Sequence, residues 1–312
     1  MTNTFPTVLV CSGGGVYGAV QAGMILELAE AGFIPDLIVG VSAGAMNAVF
    51  MSAGFTPDRA RDLVQIWASL NGRSVFPAKI LAQALNLLKR RDGVHPASGI
   101  RTLVEHFSPY NDLSEATIPT HVGAVSVNSG KLTWWDNGSV VDRLCASAAI
   151  PGVVSTVKID GESYFDGGVV ANVPLHRAIE LGAARVVVLD VSESNFSLHP
   201  GSALEVVLRA FTHSRTALTE HEYRSAAGLV EIIRISGDLP HTGASDFEHG
   251  GDLSHAGRAI AQEALKKYPE LVIRAHTQSK SFYYKLCHSR LYVICKFLSK
   301  FISRVSFSRI SR

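Results

Sequence analysis

A chain of 312 residues, 47% apolar and 18% charged, has the material for a sizeable core in one large or two medium domains, and disorder is excluded over most of it. The formal charge of +2 conceals an asymmetry: 276–312 carries eight Lys/Arg and no acid, which leaves 1–275 with 21 basic against 27 acidic side chains, about −6. An acidic body argues against a nucleic-acid groove, and the four scattered cysteines (Cys11, Cys145, Cys287, Cys295) match neither a metal-ligand spacing nor a disulfide framework.

Met1–Pro6 has no basic n-region and no stretch reaches the ~18–20 apolar residues of a membrane span, so a cytoplasmic protein is expected. Thr7–Cys11 reads as a short buried strand that ends at Ser-Gly. Ala19–Ala31 reads as a helix, with Val20, Met24 and Leu28 at four-residue steps, Glu27 and Glu30 outward, and Gly32 as its stop. Asp36–Val41 is the next strand and Ala43–Ser52 the next helix, the beginning of a parallel sheet with helices on its faces. Pro57–Leu70 and Ala78–Arg90 read as two further helices. Thr120–Val127 and Lys131–Asp136 form an expected hairpin about Asn128-Ser-Gly130, and Val154–Phe165 a second one turning at Asp160-Gly161. A helix Leu175–Leu181, stopped by Gly182, leads into the strand Arg185–Val191. Ala203–Ala217, Leu229–Ile235 and Ala256–Lys267 then read as helix, strand, helix, and one α/β domain over 1–275 results.

The turn after the first strand has two chemical readings. Gly13-x-Gly15-x-x-Gly18 fits a dinucleotide fingerprint, in which amides cradle a pyrophosphate at a helix N-terminus. The same amides fit an oxyanion hole. A dinucleotide site requires an acid at the end of the second strand. The acid near that distance, Asp36, stands at the strand's beginning, and its end carries Gly40-Val-Ser42-Ala-Gly44 instead. A G-x-S-x-G motif between strand and helix places a serine on a sharp turn at the sheet's C-terminal edge, one strand from the glycine turn. Ser42 is therefore a candidate nucleophile, with a helix-capping serine as the alternative. None of the twelve histidines is marked out as its base. Asp166, which ends a strand and is followed by Gly167 and Gly168, is a candidate proton acceptor; a plain Asp-Gly turn is the alternative.

Taken in order, Ser12-Gly-Gly-Gly-Val-Tyr-Gly18, Gly40-Val-Ser-Ala-Gly44, Ala146-Ser-Ala-Ala-Ile-Pro-Gly152 and Asp166-Gly-Gly168 with Asn172-x-Pro174 resemble the patatin-like phospholipase family. The resemblance runs from about Val8 to Val191 and more faintly to about 275. It implies a three-layer α/β/α sandwich with a mostly parallel central sheet, and a serine lipid acyl hydrolase with a Ser–Asp dyad and no cofactor or metal. Ser42 would be the nucleophile, Asp166 the acceptor of its proton, and Gly13, Gly14 and Gly15 the oxyanion hole. Gly40, Gly44, Gly167 and Gly168 would complete the motifs, with Ala146–Gly152 packed beside the site. The substrate implied is a phospholipid or another fatty-acyl ester. A catalytically silent lipid- or protein-binding module on the same fold is the alternative. The chain departs from many members in having Tyr17 where they carry Arg or Lys.

In 276–312, Leu291, Ile294, Leu298, Phe301 and Val305 recur at three- and four-residue steps opposite Lys296, Lys300 and Arg304. That pattern is a basic amphipathic helix able to lie on an anionic membrane surface through 285–309, which would make the protein a peripheral membrane one; a dispensable extension is the alternative.

Overall fold

A computed structural model describes residues 6–70, 93–95, 97–192, 203–242 and 247–273. In chain order they form β1 (Thr7–Cys11), α1 (Gly18–Glu30), β2 (Leu37–Val41), α2 (Ala43–Ser52), α3 (Pro57–Ser69), β3 (Gly93–His95) and α4 (Ala97–His106). Next come β4 (Thr120–Ser126), β5 (Leu132–Trp135), α5 (Val140–Ser147), β6 (Gly152–Val154), β7 (Val157–Ile159), β8 (Glu162–Asp166) and α6 (Leu175–Glu180). The remainder are β9 (Arg185–Leu189), α7 (Ala203–Ala226), β10 (Glu231–Ile235), α8 (Gly250–Lys267) and α9 (Glu270–Ile273). The expected helix at 78–90 and the basic tail lie outside the described residues.

Strands β10, β9, β1, β2 and β4 run parallel in that order, and β4 also pairs antiparallel with β5 and with β8, which pairs in turn with β7. Every side chain of β1, β2 and β4 is buried, although alternate residues point to opposite faces. Both faces of the sheet are therefore covered, which accounts for the near-continuous apolar runs and gives the three-layer α/β/α arrangement.

Helices α1, α3 and α8 pack together. Gly23 and Gly257 make the α1–α8 contact a backbone one, since a Cβ at either would strike the Ser254 or Val20 carbonyl oxygen. Glu27, expected to face outward, is instead buried in that contact and accepts hydrogen bonds from Arg258 and Gln262 of α8. The 3.6-residue pattern of α1 identifies one apolar stripe, but a helix covered on a second side needs a partner, and α8 lies more than two hundred residues away. The second expected hairpin forms only in part. Asp160 and Gly161, both at positive φ, do turn β7 into β8, whereas Val154 belongs to β6, which pairs with β3. Helix α7 runs to Ala226, beyond the expected Ala217, and α8 begins at Gly250, ahead of Ala256.

Candidate active site

The sheet register itself brings two chain ends together. On β4, Gly123 pairs with Val41 on one flank and Trp134 on the other, while Ala124 pairs with Asp166 and Thr133. Strand β5 occupies one flank continuously, so β2 and β8 share the other and run toward each other along it. They meet at adjacent register positions, one strand ending at Val41 and the other at Asp166. Ser42, the next residue, thus emerges beside Asp166, although 124 positions separate them in the chain.

Ser42 adopts φ 55°, ψ −131°, a left-handed conformation that costs a non-glycine residue about 1–3 kcal/mol. Its surroundings hold it there. The Ser42 amide donates to Ser147 Oγ at 2.9 Å, and the Ser147 hydroxyl donates to the Gly123 carbonyl at 2.7 Å. The Ser42 carbonyl accepts from the Ala45 amide at 2.9 Å, opening α2. Its side chain makes no capping hydrogen bond to the helix; Oγ donates to Asp166 Oδ2 at 2.6 Å. The flanking glycines make the turn possible. A Cβ at Gly40 would lie 2.7 Å from the Gly44 carbonyl oxygen, and one at Gly44 would collide with the carbonyl oxygens of Cys11 and Ser12.

Asp166 is 3% exposed, and both of its oxygens are engaged: Oδ2 by Ser42, and Oδ1 by the Gly168 amide at 2.7 Å. Its own amide donates to the Ala149 carbonyl at 3.0 Å. Ala146–Gly152 therefore supports both members of the pair, through Ser147 and Ala149. Burial holds the Asp166 carboxyl above the usual carboxylate range, against opposing effects of the Ser42 hydroxyl, the Gly168 amide and the Arg215 charge.

The glycine turn lies against this pair. A Cβ at Gly13 would come 3.3 Å from Ser42 Cβ and 2.6 Å from Asn172 Oδ1. Asn172 clasps the turn, its carbonyl accepting from the Gly13 amide at 2.9 Å and its Nδ2 donating to the Gly13 carbonyl at 3.2 Å. The Gly13 amide, expected among the oxyanion donors, is thus already engaged. Among the described residues no hydrogen-bond partner is found for the Gly14 and Gly15 amides. Asp36 bonds the Thr7 amide at 2.7 Å, at the opposite edge of the sheet from the glycines and out of reach of any ligand bound there.

Tyr17 is a buried residue of this loop, with its hydroxyl donating to the Pro240 carbonyl at 3.0 Å. It ties the glycine turn to the segment after β10. Three further polar residues are buried behind the turn. Trp67 Nε1 donates to Asn47 Oδ1 at 2.7 Å, and Asn47 Nδ2 donates to Gln21 Oε1 at 2.9 Å. Gln21 Nε2 then donates to the carbonyl oxygens of Leu189 and Ser12 at 3.0 and 3.3 Å. Sequence reasoning missed this chain and the role of Ser147. The available signal was a Gln and an Asn at otherwise apolar helix positions, which a buried helix carries only when they are hydrogen-bonded.

Comparison with known proteins places a family behind this geometry. Residues 9–179 match the model of the patatin-like phospholipases, and the chain belongs to that family. It is 27% identical over 295 residues to an uncharacterized NTE family protein of Mycobacterium bovis, covering 85% of this chain and 47% of that protein. It is 25% identical over 185 residues to the patatin-like phospholipase domain-containing protein 7 of Rattus norvegicus, covering 59% of this chain and 13% of that one. The chain thus spans about half the length, or less, of the curated relatives it matches. Among solved structures, VipD from Legionella pneumophila superposes with a TM-score of 0.43 at 14% identity, covering 84% of this chain and 67% of VipD. Among the described residues no helix is long and apolar enough to cross a membrane.

Proposed function

We propose that the protein is a serine lipid acyl hydrolase in which Ser42 and Asp166 form the catalytic dyad. Family membership supports lipid hydrolysis as the class of activity. The observation that carries the finer assignment is the 2.6 Å hydrogen bond from Ser42 Oγ to Asp166 Oδ2, made by a serine in a strained turn that caps nothing. Strain kept at a serine whose hydroxyl faces a buried base is the arrangement of an activated nucleophile.

Ser42 Oγ bonds to the ester carbonyl carbon as its proton passes to Asp166 Oδ2, and the carbonyl electron pair moves onto oxygen. The amides of Gly14 and Gly15 stabilise that oxyanion, each such donor contributing about 10²–10³ in rate. Collapse expels the alcohol as alkoxide, which takes the proton from Asp166 and leaves an acyl group on Ser42. Water then attacks the acyl-enzyme, giving a proton to Asp166; that proton returns to Ser42 Oγ as the fatty acid leaves. Burial raises the basicity of Asp166 and suits it to this exchange.

The substrate class is a fatty-acyl ester of a lipid. An anionic membrane surface is engaged through 285–309, whose deletion is expected to weaken binding to anionic vesicles and leave a soluble ester's turnover unchanged; unaltered vesicle binding excludes the anchor. The dyad is tested by p-nitrophenyl butyrate hydrolysis in wild type, Ser42→Ala and Asp166→Asn. Both variants are expected to lose about 10²–10⁴ in kcat, and full activity in Ser42→Ala overturns the assignment.

A further inference from the structure

Helix α7 packs against the turn 167–169 that follows Asp166, and it carries Arg215. The guanidinium lies within Coulombic reach of the Asp166 carboxylate. Its Cζ lies 5.2 Å from the centroid of the Phe211 ring one turn earlier, a cation–π contact. Its Nε is sealed from solvent and finds no hydrogen-bond partner. Among the described residues Arg215 has neither an ion pair nor a hydrogen bond, unlike Arg61, Arg101, Arg185 and Arg258, each of which bonds a carboxylate.

A partly buried cation with uncommitted donors is costly to keep unless something else supplies its partner. The dyad makes no hydrogen bond to it: the partners of the two Asp166 oxygens are Ser42 and Gly168. The loop Ser12–Gly18 carries no cation, and the body of the protein is acidic, about −6 over 1–275. An anionic substrate entering this site therefore meets the charge of Asp166 with Arg215 as the offsetting cation. A guanidinium presents its donors as a planar fork that matches the oxygens of a phosphodiester.

We propose that Arg215 is a specificity-determining residue, the Nη1/Nη2 edge of its guanidinium binding the phosphodiester of the lipid whose acyl ester Ser42 attacks. The proposal rests on the dyad reading above and narrows its substrate to phosphate-bearing acyl esters. It differs from a role confined to Asp166: a residue that only steadied the base would affect every ester alike, whereas one that binds phosphate affects only substrates that carry it.

The test compares dioleoyl phosphatidylglycerol with dioleoylglycerol, the same acyl esters without the phosphodiester, in detergent micelles at a pH where activity has reached its plateau. Wild type, Ser42→Ala, Arg215→Gln and Arg215→Lys are measured together. Arg215→Gln is expected to lower kcat/KM for phosphatidylglycerol about 10- to 100-fold, as for loss of a charged hydrogen bond, and that for dioleoylglycerol less than about threefold. Arg215→Lys, which keeps the charge and the fold but loses the fork, is expected to lose severalfold on phosphatidylglycerol alone. Equal losses on the two lipids in both variants, or no loss on phosphatidylglycerol, overturn the proposal and leave the dyad standing. A wild type inactive on both lipids, or a Ser42→Ala variant active on both, overturns the dyad reading and this inference with it.

Discussion

Replacing Ser147 by alanine removes one hydroxyl that satisfies two groups. The Ser147 hydroxyl donates to the Gly123 carbonyl at 2.7 Å and accepts the Ser42 amide at 2.9 Å, and Ser147 has no exposed surface. Alanine leaves a buried acceptor and a buried donor unpaired, at about 1–3 kcal/mol each, partly offset by the better helix propensity of alanine at the end of α5. The net loss is about 2–4 kcal/mol, or roughly 5–15 °C in Tm for a domain of this size. The catalytic effect follows from the same bond. Ser42 keeps φ 55° because its amide is tied down, and releasing the tie lets the turn relax away from Asp166. Displacement of a nucleophile by about 1 Å costs on the order of 10² in rate, so kcat for p-nitrophenyl butyrate is expected to fall about 10- to 100-fold with KM nearly unchanged. Differential scanning calorimetry and steady-state kinetics read the two effects. A variant that melts within about a degree of wild type and keeps its kcat refutes the argument that Ser147 holds the elbow.

Other consequences are as direct. Glu222, pushed up to about 7 by burial, has a folded pKa above its unfolded one. Its contribution to stability is present below about pH 4.5 and lost as pH rises through about 7, and Glu222→Gln should flatten that loss, by about 2–3 kcal/mol in urea melts at pH 8. The Asp166 carboxyl is likewise raised, and the proposed dyad requires its ionised form, so the acid limb of kcat/KM should lie above the ordinary carboxylate range, with activity falling as pH drops through it. By the same sign, Asp166→Asn removes a buried charge and should raise Tm while turnover falls about 10²–10⁴-fold; a lower Tm contradicts it. Gly44→Ala sets a Cβ against the carbonyl oxygens of Cys11 and Ser12, backbone that cannot yield, and should give inactive, destabilised protein in thermal melts and ester assays.

Much of this site was legible in the sequence because it is built from motifs that act through local geometry. Gly40 and Gly44 around Ser42, and Gly167 and Gly168 after Asp166, are small where the chain turns or backbones touch. The central strands were equally legible, since a strand buried on both faces is a plain apolar run. Long-range partners were not. The head-on meeting of β2 and β8 on β4 depends on two long-range registers, Val41 with Gly123 and Ala124 with Asp166, pairs 82 and 42 residues apart. Glu27 on α1 looked exposed because Arg258 and Gln262 arrive from the other end of the chain. The Gly13 amide looked free because Asn172, which holds it, is fixed by tertiary packing. Tyr17, a departure from many members of the family, bonds a carbonyl at Pro240, far away in the chain.

The central claim is that Ser42 carries the acyl group, and the most direct test is to trap it. Mixing the protein with p-nitrophenyl butyrate, quenching in acid within the first turnover and sequencing the peptides by mass spectrometry should place a butyryl ester on Ser42. The adduct should be absent in Ser42→Ala and much reduced in Asp166→Asn. Hydrolysis by wild type with no adduct on Ser42, or an adduct on another residue that persists in Ser42→Ala at undiminished turnover, would contradict the account.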